Sequence, residues 1–328
     1  MRMRATRRGL RLTELGLGVA QFGNLYRETT DDEAAGAVEA AWRAGIRYFD
    51  TAPHYGLGLA ERRLGELLRA YPRGDYVIST KVGRLLVPSP ETADRLDDEG
   101  FAVAASSRRQ WDFSRDGILR SIEDSLERTG LDYFDVLYLH DPDDHVEQAT
   151  TEGIATLIEL REQGVVKAVG AGMKQSEALA TLIGRADVDL VMLAGRYTLL
   201  EQGALDELLP LAMDRGVGIV IAGVYNTGLL SSPRPAANAK YEYEDAPVEL
   251  IARAGLIADI CEDHGVTLPE AALNFPLMHP AVVSVVVGSR NSEQVDSNVE
   301  RYQTPIPDAL WRALAAEHLI PELAIQPK

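Results

Sequence analysis

Eight short β-rich apolar runs alternate with amphipathic stretches of helical length along this chain, and that alternation constrains its fold more than any other feature. The runs are Leu15 to Ala20, Ile46 to Thr51, Tyr76 to Val82, Asp135 to His140, Ala168 to Met173, Val188 to Ala194, Gly218 to Val224 and Val282 to Gly288. Repeated strand and helix units build a parallel sheet, and eight is the number that closes one into a barrel. The pattern predicts an α/β fold, a single-domain (β/α)8 TIM barrel, preceded by a β-hairpin at Gly9 to Glu14. Its core is expected over about residues 10–303, with a C-terminal extension over 304–328.

Asp31 to Ala44 places Ala34, Val38, Ala41 and Trp42 on one helical face, behind a Thr30/Asp31 cap and ahead of Gly45. Similar spacing recurs in Ile118, Ile122 and Leu126, in Leu157 and Leu160, and in Leu205, Leu208 and Leu209. These stripes are expected to be outer-ring helices packed on the sheet. Two connections, Gly83 to Asp112 and Ser231 to Pro247, are long and read as structureless loops. Both follow strands, so both are expected at the C-terminal mouth, as lids or specificity elements.

Charge decides which partners suit such a barrel. The 33 basic and 50 acidic side chains leave a net charge of −17, which repels nucleic acid, so only local basic groups could hold a phosphate. The lone Cys261 cannot form an internal disulfide and suits a reducing compartment. The basic start, Met1 to Arg8, is interrupted by Glu14 before any long apolar run, and nothing approaches a membrane span. The expectation is a cytoplasmic protein with no membrane partner, a small-molecule substrate, and a monomeric or homodimeric state.

Catalytic groups of such barrels come from the C-terminal ends of strands. Asp50 ends the second predicted strand, Tyr55 follows in its loop, Lys81 ends the third and His140 ends the fourth. A neighbouring ammonium favours the phenolate of a tyrosine, and a carboxylate keeps a buried ammonium charged. Lys81 and Asp50 are placed for those roles, with His140 as a donor to a substrate oxygen. Taken singly, each has a plain reading as a turn cap, a solvated strand end or a packing residue.

Several segments are recognisable together: Phe49-Asp50-Thr51-Ala52-Pro53-His54-Tyr55-Gly56, Ala60-Glu61-Arg62-Arg63-Leu64-Gly65, Ser79-Thr80-Lys81-Val82 and Tyr138-Leu139-His140-Asp141. The chain resembles the aldo-keto reductase superfamily from about residue 10 to residue 303. That resemblance implies a nicotinamide-dependent oxidoreductase whose catalytic tetrad is Asp50, Tyr55, Lys81 and His140. Outside the tetrad, Gly23 to Tyr26, Asp112 to Ser114 with Gly117 to Ser121, and Asn274 to Pro280 resemble the L-fucose dehydrogenase or D-threo-aldose 1-dehydrogenase branch. This implies oxidation of an aldose at C1. Pyridoxal 4-dehydrogenases share much of the pattern, general aldehyde and ketone reductases use the same tetrad, and potassium-channel β subunits keep the barrel as a cofactor-binding regulatory subunit. Those alternatives remain open on sequence.

Val285 to Arg290, with Gln294 and Asn298, ends the eighth strand and opens a helix, whose N-terminus suits a phosphate. The resemblance makes Gly288, Ser289, Arg290, Gln294 and Asn298 the adenosine-phosphate end of the cofactor site. Relatives selective for NADP carry Lys and Arg where this chain has Gly288 and Gln294, which favours NAD, while Arg290 keeps NADP open. Tyr225-Asn226-Thr227-Gly228-Leu229 resembles the loop that passes over the pyrophosphate. Two departures concern the nicotinamide end: Lys174 replaces the usual amide-holding Asn, and Ala222 the usual stacking aromatic. Gln175, Tyr197 or Tyr225 could substitute for them.

Flat aromatic faces pack against the C–H face of a pyranose. Tyr26, Trp111 and Phe113 are therefore candidate substrate contacts beside Tyr55 and His140, although Trp111 and Phe113 could equally anchor the long loop. Gly16-Leu17-Gly18 and Gly56-Leu57-Gly58 do not complete a dinucleotide-binding Gly motif in its strand-turn-helix context. The histidines show no metal-ligand spacing, and Asp141, Asp143 and Asp144 read as a solvated loop, so no metal is expected.

Overall fold

In the computed structural model, which describes residues 1–242 and 244–322, eight parallel strands close into a barrel. Ahead of it, β1 (Met3–Ala5) pairs antiparallel with β2 (Arg11–Thr13), and Leu12 packs into the barrel interior. Sequence located the turn and second strand of this hairpin and missed β1, whose three residues, Met3-Arg4-Ala5, are too few to mark a strand. Long-range contacts hold it instead: Arg4 donates to Glu14 at 2.7 Å and to the carbonyls of Leu277 and Val282, both at 2.7 Å.

The barrel begins with β3 (Leu15–Gly18), β4 (Tyr48–Asp50) and β5 (Val77–Val82). Outside it stand β6 (Arg84–Pro88) and β7 (Ser107–Trp111), an antiparallel arm. The barrel resumes with β8 (Val136–His140), β9 (Ala168–Met173), β10 (Leu190–Ala194) and β11 (Gly218–Ala222). A short hairpin of β12 (Lys240–Tyr241) and β13 (Glu244–Asp245) precedes β14 (Val282–Gly288), which closes the barrel onto β3. Each barrel strand lies within a predicted run; β9 and β14 match theirs end to end, and the others are trimmed where backbone pairing stops.

Around the sheet lie α1 (Asp31–Arg43), α2 (Leu59–Leu68), α3 (Arg115–Thr129), α4 (Val146–Gln148), α5 (Ile154–Glu162), α6 (Ser176–Arg185), α7 (Leu208–Arg215), α8 (Val248–Asp263), α9 (Leu268–Asn274), α10 (Ser292–Gln303) and α11 (Asp308–Ala316). α1 starts at a capping box in which Thr30 and Glu33 bond each other's backbone N–H. Tyr48, Val136, Tyr138, Leu190, Met192, Val220 and Val286 fill the barrel interior, while opposite faces of the strands pack against the helices. In the C-terminal extension, Trp311 of α11 packs against Phe275 and Arg253 of α8 donates to the Leu319 carbonyl; residues 323–328 lie outside the described part.

Both long connections prove to contain structure. The first folds into the β6/β7 arm, and the second carries the β12/β13 hairpin. The arm leaves the barrel at Gly83, whose φ of 94° suits glycine, and a Cβ there would fall 2.1 Å from the Phe113 ring. Another close approach shapes the mouth: a Cβ on Gly56 would sit 2.2 Å from the Gly23 carbonyl oxygen. The loops after β3 and β4 therefore touch backbone to backbone, which fixes the segment holding Tyr55.

Candidate active site

Three neighbouring strands deliver four polar side chains to one end of the barrel. Lys81 Nζ donates to Asp50 Oδ2 at 2.7 Å and to the Thr51 carbonyl at 3.0 Å. Ser79 Oγ donates to the other Asp50 oxygen at 2.6 Å, and Tyr48 lies 3.1 Å behind Ser79. Asp50 and Lys81 are each 3% exposed, so this pair is desolvated, and its hydrogen bonds offset the cost of burying two charges. Lys81 Nζ lies 4.9 Å from the centre of the Tyr55 ring, and the His140 ring packs edge-on against Tyr55 at 6.1 Å.

Electrostatics assign each group a protonation state. Burial alone would depress the Lys81 ammonium, but Asp50 and the Tyr55 phenol more than offset it and hold the pKa above its ordinary value. For Tyr55 burial outweighs the nearby ammonium, so the phenol is pushed up. This corrects the expectation that Lys81 by itself makes the phenol acidic: the low-dielectric site penalises the phenolate more than one cation repays. Burial, reinforced by Arg84 and Lys81, holds His140 well below its ordinary pKa and therefore neutral. Its Nδ1 is sealed without a partner, whereas Nε2 lies 3.7 Å from Asp141 Oδ2. A bare acceptor is tolerated in the interior better than an orphaned N–H, so the proton belongs on Nε2.

A cleft of about 760 Å³ runs from Asp50 and Tyr55 to the start of α10, within the range of cofactor sites. Of the expected cofactor contacts, Asp50, Tyr225, Thr227, Gly228, Gly288, Arg290, Gln294 and Asn298 line it. Ser289 lies beneath, accepting from Asn298 Nδ2 at 3.1 Å, and Asn226 donates to the Gly195 carbonyl at 3.1 Å. Leu229 is core, packed because its turn folds back onto the barrel. Gln175 is exposed at the start of α6 and is not part of the lining. Tyr197 packs between Phe275 and His279, and the Tyr225 hydroxyl donates to Asn298 at 2.9 Å, at the end of the cleft remote from the tetrad.

The cleft also fits a nicotinamide dinucleotide by what it leaves unpaired. Gln21 Oε1 is buried without a partner, and Gln21 lines the cleft where a Cβ on Gly288 would meet it at 2.5 Å. Sequence reading missed Gln21, although it follows β3 at the catalytic end, where the barrel rule would have placed it. Glu293, Ser297 and Arg301 were missed too. Arg301 donates to the Tyr225 hydroxyl at 3.2 Å and to the Ser231 carbonyl at 3.2 Å.

Among the substrate candidates, Tyr26 is 60% exposed and lines the cleft. Trp111, on β7, is 37% exposed, with the Arg84 guanidinium 5.1 Å from its ring centre and the His145 ring stacked at 6.2 Å. Phe113 is fully buried on Gly83 and the barrel core, so it anchors the arm and does not face the mouth. Asp141, read as part of a solvated loop, instead accepts from Arg84 at 2.7 Å beside His140 and has a strained φ of 39°.

A second hollow of about 630 Å³ lies at the opposite end of the barrel, bordered by Arg8, Arg47, Arg161 and Lys167. Its cations are committed to structure, Arg161 to Asp187 and Asp189 and Lys167 to Asp135. Among the described residues, no group of three or more His, Cys, Asp or Glu could hold a metal ion, and no helix is long and apolar enough to cross a membrane.

The chain is similar to known proteins in sequence and in fold. Residues 14–317 match the model of the Aldo/keto reductase family. A D-threo-aldose 1-dehydrogenase from Pseudomonas sp is 50% identical over 316 residues, covering 95% of this chain and 96% of that protein. A pyridoxal 4-dehydrogenase from Microbacterium luteolum is 42% identical over 331 residues, covering 96% of each. The holo form of an aldo-keto reductase from Bacillus halodurans superposes with a TM-score of 0.74 at 25% identity, over 100% of this chain and 99% of that one. The chain belongs to the aldo/keto reductase family and is a nicotinamide-dependent oxidoreductase.

Proposed function

We propose that this enzyme oxidises a cyclic aldose at C1 to the lactone, using NAD. The observation that carries the reading is the buried Lys81–Asp50 pair set against Tyr55 and His140 at one end of the cleft, in a chain 50% identical to an aldose dehydrogenase. When bound, the nicotinamide supplies the acceptor for the hydride leaving C1. Tyr55 removes the proton of the anomeric hydroxyl, Lys81 stabilises the phenolate that does so, and His140 Nε2–H orients the same oxygen. Aldose and NAD⁺ thus give lactone, NADH and one proton, which passes through Tyr55 to solvent.

Support for NAD comes from the adenosine end of the cleft. The Arg290 guanidinium donates to the carbonyls of Leu25 and Arg27 at 2.7 and 3.0 Å and to the Thr29 hydroxyl, so its donors are committed to the loop after β3. Glu293 lines the same end, and its carboxylate would repel a 2′-phosphate. Gly288, Ser289, Gln294 and Asn298 would hold the adenosine side; Tyr225, Thr227 and Gly228 would pass over the pyrophosphate; Gln21 would face the cofactor's middle.

Initial rates on L-fucose, D-arabinose, pyridoxal and simple aldehydes, each with NAD and NADP, test the reading. Fastest turnover of a sugar with NAD is expected. Pyridoxal as the best substrate would move the assignment to the activity of the 42%-identical relative.

A further inference from the structure

The β6/β7 arm brings a buried ion pair to the back of an active-site ring. Arg109, on β7, donates through its two terminal nitrogens to Asp97 at 2.5 and 3.0 Å. Its Nε donates to His54 Nδ1 at 2.7 Å, and one terminal nitrogen also donates to the His54 carbonyl at 3.1 Å. The Arg109 and Asp97 side chains are 5% and 3% exposed. Burying such a pair is costly, and apolar residues of similar volume would hold a loop at least as well.

What the pair achieves beyond packing is a fixed tautomer. An arginine N–H can only donate, so Nδ1 of His54 must offer its lone pair, and a neutral imidazole then carries its one proton on Nε2. The ring is neutral because burial and the charges of Arg109, Arg84 and Lys81 press its pKa down to about 2. His54 lies edge-on to Phe101 at 5.3 Å, to His140 at 5.6 Å and to Tyr55 at 5.9 Å. Among the described residues Nε2 has no hydrogen-bond partner, and it is not one of the atoms sealed from water. A directed, unspent donor thus stands beside the two groups that would grip the reacting oxygen.

We propose that His54 is a specificity-determining residue: its Nε2–H donates to the hydroxyl on the carbon next to the reacting one, and Arg109 with Asp97 are positioning residues that hold it in that tautomer. The proposal rests on the aldose reading for its choice of probes. A substrate oxygen between Tyr55 and His140 leaves a vicinal hydroxyl one ring away, at His54. A site built to bond a hydroxyl discriminates against an analogue lacking it, because the protein donor is left unpaired.

The measurement is the ratio of kcat/KM for an aldose to that for its 2-deoxy counterpart, in the full-length enzyme with NAD. His54→Leu should lower this ratio about tenfold, and His54→Gln, which keeps an N–H donor and an acceptor for Arg109, should restore most of it. The double variant Asp97→Asn/Arg109→Leu, which leaves no buried charge unpaired, should lower the ratio by roughly threefold or more through release of the tautomer. A parallel fall for both sugars, or a ratio within about twofold of wild type in His54→Leu, would overturn the proposal in favour of a packing role. Should the wild type oxidise neither sugar, the aldose reading falls; reduction of lactaldehyde against propanal then reads the same ratio, and its insensitivity to His54→Leu overturns the proposal independently.

Discussion

Tyr55 sits where two opposing influences meet, and their balance gives the pH dependence a definite sign. Burial raises its pKa above 10.0 while Lys81 opposes the rise, so the phenol is protonated at neutral pH. The proposed oxidation uses the phenolate, whose fraction grows tenfold per pH unit below the pKa; kcat/KM for oxidation should therefore climb between pH 7 and 9 with a logarithmic slope approaching one. An inflection near pH 6.5 instead would place the proton on a histidine, against the neutral state that burial imposes on His140. Tyr55→Phe keeps the ring and removes the acid, so turnover should fall by about 10²–10⁴-fold without a comparable loss of NAD binding, which fluorescence quenching can follow. At the far end of the cleft, Glu293→Gln should raise kcat/KM with NADP relative to NAD; an unchanged ratio would remove the carboxylate from cofactor choice. The four candidate catalytic residues were legible because each lies at, next to or just beyond the C-terminal end of a strand. His54 stands in the recognisable motif, but nothing near it in sequence marks a role, since its partners Asp97 and Arg109 lie in a segment with no readable pattern.

The arm formed by β6 and β7 shows how one element divides its duties. Phe113 closes its base against Gly83 and the core, so Phe113→Ala should cost about 3–5 kcal/mol of stability, measurable by urea unfolding. Trp111 stands half out of the protein beside Arg84, and Trp111→Ala should instead raise the sugar's KM with little change in unfolding midpoint. The reverse outcome would exchange the anchor and the wall. Sequence read this segment as a structureless loop because Ser107-Arg108-Arg109-Gln110-Trp111 lacks the alternation that marks a half-buried strand. Its strand character comes from pairing with residues 84–88, a non-local contact that no window along the chain contains.

For the whole molecule, the neutral buried rings of His54 and His140 tie stability to pH. Unfolded histidine titrates near 6.5, while both rings stay neutral below that value in the fold. Between the two values the unfolded chain binds protons that the fold does not, so stability rises with pH and is lost as pH falls through 6.5, by up to about 1.4 kcal/mol per pH unit per ring. Urea midpoints at pH 7.5 and 5.0 should show the loss, and equal midpoints would mean that the rings accept protons in place. Sequence by itself determined the barrel, because eight apolar runs with β-rich composition can hide their backbone only by pairing edge to edge and closing. It also placed Asp50, Tyr55, Lys81 and His140 together, because strand ends in such a barrel point to one mouth. Only the tertiary structure decided that Phe113 faces inward, that Arg290 is committed to the loop after β3, and that Arg109 and Asp97 stand behind His54. Those outcomes depend on which distant groups share a low-dielectric space, and burial sets the strength and sign of each interaction only after the chain has closed around it.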